Sequence, residues 1–166
     1  MSIRQPAALF ATLFLVAACK DKPPAPQAPV KTVVPIATFE ALPLTGNKGT
    51  ALAAGFAECL DGAHGVRCTR RDVRLVGAGP YTAAIDLSIA TTPPTFDHVT
   101  LWHDRDQGAI LDIGNALKKD GWQSCLSGDF ESYGRMGSPI LIVIDASYWG
   151  KRRAVISWSD KPFKPC

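Results

Sequence analysis

The clearest alternation of apolar and polar positions runs over residues 81–90, where Tyr81, Ala83, Ile85, Leu87 and Ile89 alternate with Thr82, Ala84, Asp86 and Ser88. A period of two sends alternate side chains to opposite faces, so this segment predicts a strand buried on one side. Residues 66–76 follow the same period less strictly. Pro93 and Pro94 then break the chain, and 96–103 predicts a further strand. Another begins at 122–126; residues 139–149 are the most apolar stretch, and 153–160 follow a turn containing Gly150. Helical spacing occurs twice. Leu52, Phe56 and Cys59 or Leu60 share a face over 51–60, with Thr50 as cap and Asp61-Gly62 as stop. Ile110, Ile113, Gly114 and Leu117 share a face over 107–120. There Asp106 serves as cap, Lys118 and Lys119 complement the negative end of the helix dipole, and Gly121 ends the helix.

The last two strands predict a hairpin with an odd-length turn centred on Lys151. It pairs Tyr148 with Ala154, Ala146 with Ile156 and Ile144 with Trp158, making one face wholly apolar. Trp158 then faces the core and Trp149 the other side, beside Arg153. An even turn would instead set Asp145 against Ile156. The predicted class is α+β: antiparallel sheet of about five to six strands with two short helices. The order suits two α-β-β(-β) halves, and equally a single sheet with both helices on one face.

Upstream, Arg4 precedes an apolar run over 7–18 broken only by Thr12. At about 1.5 Å per helical residue the run reaches about 18 Å, short of a hydrocarbon core of about 30 Å. This is the pattern of an export signal. It ends in Val16-Ala17-Ala18-Cys19, which resembles the lipobox of bacterial lipoproteins. The resemblance implies removal of the signal peptide 1–18, a diacylglycerol thioether on Cys19 and acylation of its freed amine, so that the membrane is a partner through those chains. Ordinary signal cleavage after Ala18 is the alternative, since Val16 and Ala18 also satisfy its small-residue rule. Lys20, rather than aspartate, follows the cysteine, which by the same resemblance points to the periplasmic face of the outer membrane.

Residues 19–37 then form the anchor and a tether carrying Pro23, Pro24, Pro26, Pro29 and Pro35, and 38–166 a single globular domain. In element order this domain is similar to the tandem helix-plus-sheet design of β-lactamase inhibitory proteins and of small envelope lipoproteins. That likeness extends to no shared motif.

The chain has 166 residues and five cysteines. With Cys19 assigned to the membrane, Cys59, Cys68, Cys125 and Cys166 remain, an even number in an oxidising compartment. Cys59 and Cys68 flank a short Gly-containing turn and are paired locally, which leaves Cys125 to Cys166 and a disulfide-stabilised fold. The formal charge of +3 is spread over 18 basic and 15 acidic side chains, so nothing demands nucleic acid. Two basic clusters, Arg67, Arg70, Arg71 and Arg74, then Lys151-Arg152-Arg153, are candidates for gripping phosphates, wall carboxylates or an acidic protein. Solubility and protection of sheet edges are the plainer roles for them. Trp149 beside Arg153 is the candidate aromatic anchor.

The chain holds no Gly-x-Ser-x-Gly, His-Glu-x-x-His, Ser-x-x-Lys or Cys-x-x-Cys pattern and no phosphate-cradling glycine loop. No cofactor or metal is implied. Asp97-His98 and His103-Asp104 are the acid–base candidates, but five residues apart on a strand they point to opposite faces. The expected function is a lipid-anchored envelope lipoprotein whose non-catalytic periplasmic domain binds a protein, cell-wall or envelope component. The alternative is a hydrolase-like periplasmic enzyme built on those Asp and His residues.

Overall fold

The computed structural model describes residues 35–147, 150–159, 161, 163, 164 and 166. The signal, the lipobox with Cys19, the tether up to residue 34 and Trp149 lie outside the described residues. A small hairpin, β1 (Thr38–Phe39) and β2 (Leu42–Pro43), leads into α1 (Lys48–Ala53). Four strands follow: β3 (Ala57–Gly62), β4 (Gly65–Leu75), β5 (Ala78–Ser88) and β6 (Thr95–Trp102). The pattern then repeats with α2 (Ala109–Lys119), β7 (Gln123–Ser127), β8 (Phe130–Gly134), β9 (Ile140–Asp145) and β10 (Arg153–Trp158). Each half is a helix and a four-stranded meander. The meanders join through antiparallel β6 and β10 into one eight-stranded sheet ordered β3-β4-β5-β6-β10-β9-β8-β7. The class is α+β, with more strands than the pattern predicts.

The pattern shows neither the two short strands β1 and β2 nor two of the eight in the large sheet, the latter for different reasons. β8 is short and polar, and its alternation is too brief to read. β3 was masked by a mistaken helix: α1 stops at Ala53 instead of running through 51–60. Its cap is Asn47, whose side chain accepts from the Gly49 and Thr50 N–H groups, while Thr50 Oγ1 accepts from the Asn47 N–H. Thr50 therefore completes the capping box from the third helical position. At the other end Gly55 takes φ 82°, donating to the Leu52 carbonyl while the Phe56 N–H reaches the Ala51 carbonyl. This Schellman turn swings the chain out of the helix and drops Phe56 into the core.

α2 ends the same way. Gly121 has φ 79° and donates to the Lys118 carbonyl, and the Trp122 N–H reaches the Leu117 carbonyl. The two exits share a sequence, Gly55-Phe56-Ala57-Glu58-Cys59-Leu60-Asp61-Gly62 against Gly121-Trp122-Gln123-Ser124-Cys125-Leu126-Ser127-Gly128. At its start α2 lacks a side-chain cap. Asp106 instead accepts from the Gly108 N–H one step earlier.

One face of the sheet carries the core. Val66, Cys68, Val73 and Leu75 of β4, Tyr81, Ala83, Ile85 and Leu87 of β5, and Val99 and Leu101 of β6 point to it. So do Ala154 and Ile156 of β10, Ile142 and Ile144 of β9, and Tyr133 of β8. Ile110, Ile113 and Leu117 of α2 close over them with Leu42, Leu44, Ala51 and Phe56. Gly114 lets α2 sit directly on the Tyr133 ring, where a β-carbon would collide.

The β9–β10 hairpin keeps the predicted parity but not the predicted partners. Ala154 pairs with Ile144, Ile156 with Ile142 and Trp158 with Ile140, so each partner lies four residues earlier than expected. Backbone N–H groups at the described ends of the connection find acceptors outside the β9–β10 ladder. Ala146 donates to the Asp129 carbonyl, Ser147 to Asp145 Oδ1 and Arg152 to Gln107 Oε1. Trp158 consequently lies beyond the three residue pairs that join β10 to β6 and is 43% exposed rather than in the core.

Cys59 is bonded to Cys68 and Cys125 to Cys166, as expected. The second bond ties a tail whose Phe163 lies directly on Gly134, across β8. Mapping of the unreduced protein should recover these two linked peptide pairs. Replacing Cys125 and Cys166 by serine should cost roughly 3 to 4 kcal/mol in denaturant unfolding, for a loop of 41 residues. Gly114→Ala should cost roughly 1 to 3 kcal/mol by forcing α2 off Tyr133, measured the same way.

Candidate functional site

The other face of the sheet is where side chains remain to do chemistry. Register places three rows across it. Arg67, Asp86 and His98 form one; Thr69, Ala84, Thr100 and Val155 form the second; Thr82 and Trp102 form the third, with Arg153 bordering the same hollow as Trp102. The β7–β9 end of this face is overlaid by the tail, where Phe163 and Lys164 border a hollow with Cys125, Ser132 and Leu141. The β4–β6 and β10 end is left open.

Asp86 is the hub of the open end. Its carboxylate accepts from Arg67 Nε at 2.6 Å and Nη2 at 3.0 Å, from the Thr100 hydroxyl at 3.4 Å, and pairs with His98 Nε2 at 3.1 Å. Burial alone would push this carboxyl up, but the hydrogen bonds from His98 and Arg67 and their charges overcome it and hold the pKa at about 2. The His98 pKa is raised mainly by its bond to Asp86, against the desolvation that lowers it, with Asp97 on Nδ1 at 3.0 Å adding to the rise. Arg67 is likewise raised, first by its hydrogen bond to Asp86. Thr100 is 4% exposed, the only buried polar side chain among the described residues.

The acid–base candidates do not converge. His98 borders a cleft of about 370 Å³ with His64, Arg67, Asp86 and Asp97. His103 borders a separate cleft of about 430 Å³ with Arg71, Tyr81, Thr82 and Asp104. Both nitrogens of His98 face carboxylates. His103 Nδ1 accepts backbone N–H groups of Arg105 and Asp106, and Asp104 accepts from Thr82 and from Trp102 Nε1. Tyr81, whose hydroxyl donates to the Ala109 carbonyl at the start of α2, is pushed up to about 12, chiefly by burial. Among the described residues no three His, Cys, Asp or Glu side chains gather to hold a metal ion.

The first arginine cluster is also dispersed. Arg67 lies on the open face with Asp86, whereas Arg70 points the opposite way and donates to the Ala54 carbonyl at the end of α1. A register shift between Arg70 and Val73, with Asp72 at φ 57°, separates them from Arg71 and Arg74. Arg71 borders the His103 cleft and Arg74 is exposed. Of the second cluster, Arg153 and Lys151 meet Arg67 around Trp102 and Thr100, while the Arg152 backbone is tied to Gln107. Trp122 belongs to the core, edge-on to Phe39 at 5.4 Å. Sequence reasoning missed Asp86 as the hub. The signal was there, since a carboxylate in mid-strand among Ala84, Ile85 and Leu87 needs partners.

No family model matches the chain, and neither does any curated protein or solved structure.

The cluster should make stability depend on pH in two directions. Asp86, depressed in the fold, stabilises above its unfolded value near 4, and that contribution is lost as pH falls toward about 2. His98, raised in the fold, stabilises fully below about 6.5, and this is lost as pH rises through its folded pKa. Urea midpoints should therefore be highest between about pH 4 and 6 and decline on the alkaline side, and His98→Gln should remove that decline. Asp86→Asn, which leaves Arg67 and His98 facing an amide, should cost roughly 1 to 3 kcal/mol. Identical pH profiles for the parent and His98→Gln would contradict this account.

Proposed function

We propose that the chain is a lipid-anchored lipoprotein of a bacterial envelope, and that its domain is a non-catalytic module binding a protein, cell-wall or other envelope component through the open end of the sheet. The observation that carries the binding reading is the division of that face. One end is occupied by the protein's own tail, while the other leaves Arg67, Trp102, Lys151 and Arg153 around one hollow. An enzyme built on Asp97, His98, His103 and Asp104 is less well supported, because those groups border two separate clefts. The anchoring and the placement at the outer membrane rest on the Val16-Ala17-Ala18-Cys19 pattern and on Lys20. Acyl chains on Cys19 would hold the protein to the bilayer at about 0.8 kcal/mol per buried CH₂, and the proline-rich tether would stand the domain away from it.

Two measurements in a bacterial host test the proposal. Labelled palmitate should enter the parent protein and not Cys19→Ala. A photo-crosslinking residue at Val155, on the open face, should capture one discrete envelope component, whereas the same probe at Lys119 on α2 should not. Capture from α2 alone, or palmitate retained by Cys19→Ala, would overturn the respective half of the reading.

A further inference from the structure

The hollow between β6 and β10 has a composition that selects its occupant. It is lined by Arg67, Thr100, Trp102, Lys151 and Arg153, and its volume is about 170 Å³. That is below the roughly 300 Å³ at which pockets begin to enclose a whole small molecule, and suits the end of one side chain. Three of the five lining residues are cationic, one is a hydroxyl and one is an aromatic wall.

Two of the neighbouring acids, Asp86 and Asp104, are held by side-chain donors, and among the described residues the third, Asp145, forms no ion pair with Arg153 within 4 Å. Asp86 is held by Arg67, His98 and Thr100, and Asp104 by Trp102 Nε1 at 2.8 Å and Thr82 at 2.8 Å. Asp145, opposite Arg153 on β9, accepts from the Ser147 N–H at 2.9 Å. The two bonds to Asp86 use Nε and Nη2 of Arg67, so the guanidinium is fixed in place with its Nη1 edge uncommitted among the described residues. The bond from Nε1 to Asp104 likewise fixes the Trp102 ring, and Arg153 borders the same hollow. A preorganised planar cation beside a fixed indole lowers the ordering cost of receiving a planar anion.

We propose that this hollow receives a glutamate or aspartate side chain of a partner protein, with Lys151 and Arg153 neutralising the carboxylate, the Nη1 edge of Arg67 donating to it and Trp102 packing against its stem. The inference rests on the binding-module reading and names the chemistry its partner must present. A planar carboxylate matches the forked guanidinium donors, and the broad strand surface around the hollow suits a protein carrying that side chain.

The test uses the full chain in non-ionic detergent, labelled with ¹⁵N-tryptophan, with the Trp102 indole signal identified by Trp102→Phe. It is titrated at constant ionic strength with a short capped peptide carrying two glutamates, with its glutamine counterpart, and with inorganic phosphate. The glutamate peptide should move the Trp102 signal saturably and the glutamine peptide should not. Lys151→Ala combined with Arg153→Ala should weaken the response at least about tenfold with the Trp122 indole signal unmoved, which reports an intact core. An equal response to the glutamine peptide, saturation by phosphate at lower concentration than by the peptide, or an unchanged affinity in the double variant would overturn the proposal. The two readings fail separately. Undiminished crosslinking at Val155 in the double variant would remove the carboxylate pocket and leave the binding module standing.

Discussion

The pairing of β6 with β10 turns two separate meanders into one sheet, and both faces depend on it. Its register sets Ala154 against Leu101, Val155 against Thr100 and Ile156 against Val99. On the covered side, Leu101, Val99, Ala154 and Ile156 are wholly buried, and α2 lies over strands from both halves, touching β5 as well as β9 and β10. Burial of apolar surface under one helix thus holds together elements far apart in the chain. On the open side the same register brings Arg67, Trp102 and Arg153 to one hollow, although Arg67 comes from the first half and Arg153 from the second. A one-residue slip here would send Thr100 into the core and Leu101 to solvent.

The two helix exits show how one local instruction gives two outcomes. Gly-aromatic-x-x-Cys-Leu-x-Gly leaves each helix by the same left-handed glycine and lays down an edge strand. In β7 the strand pairs without interruption, and Cys125, opposite Ser132, points to the open face and the tail. In β3 the register shifts between Ala57 and Leu60, where Glu58 has φ 49°. That extra residue turns Cys59 to the covered face, where Cys68 meets it. One bulge therefore determines whether the cysteine of the motif closes its own hairpin or reaches for a distant partner.

Strands 81–90 and 96–103, the second helix and the parity of the last hairpin were legible because each rests on a periodicity long enough to define a face. The segment after Thr50 was not, because Leu52, Phe56 and Cys59 satisfy helical spacing by coincidence across a glycine-stopped turn. The hairpin partners were not either, since backbone donors at 146 and 152 are satisfied by residues remote in sequence. Of the candidate site, Arg67 and Arg153 could be singled out as cations. Their convergence, and the separation of Arg70 from them, follow from strand order and from a bulge that composition does not reveal.

The Cys125–Cys166 bond has a meaning apart from the energy it contributes. It accompanies the placing of Phe163 on Gly134, so that a side chain of the chain's own tail lies over β8 on the open face. The two halves share an architecture but differ in what lies over them, since Phe163 and Lys164 border only the hollow at Cys125, Ser132 and Leu141. The bond that closes a loop of 41 residues in the chain thus also decides which end of the sheet lies beneath the protein's own side chains.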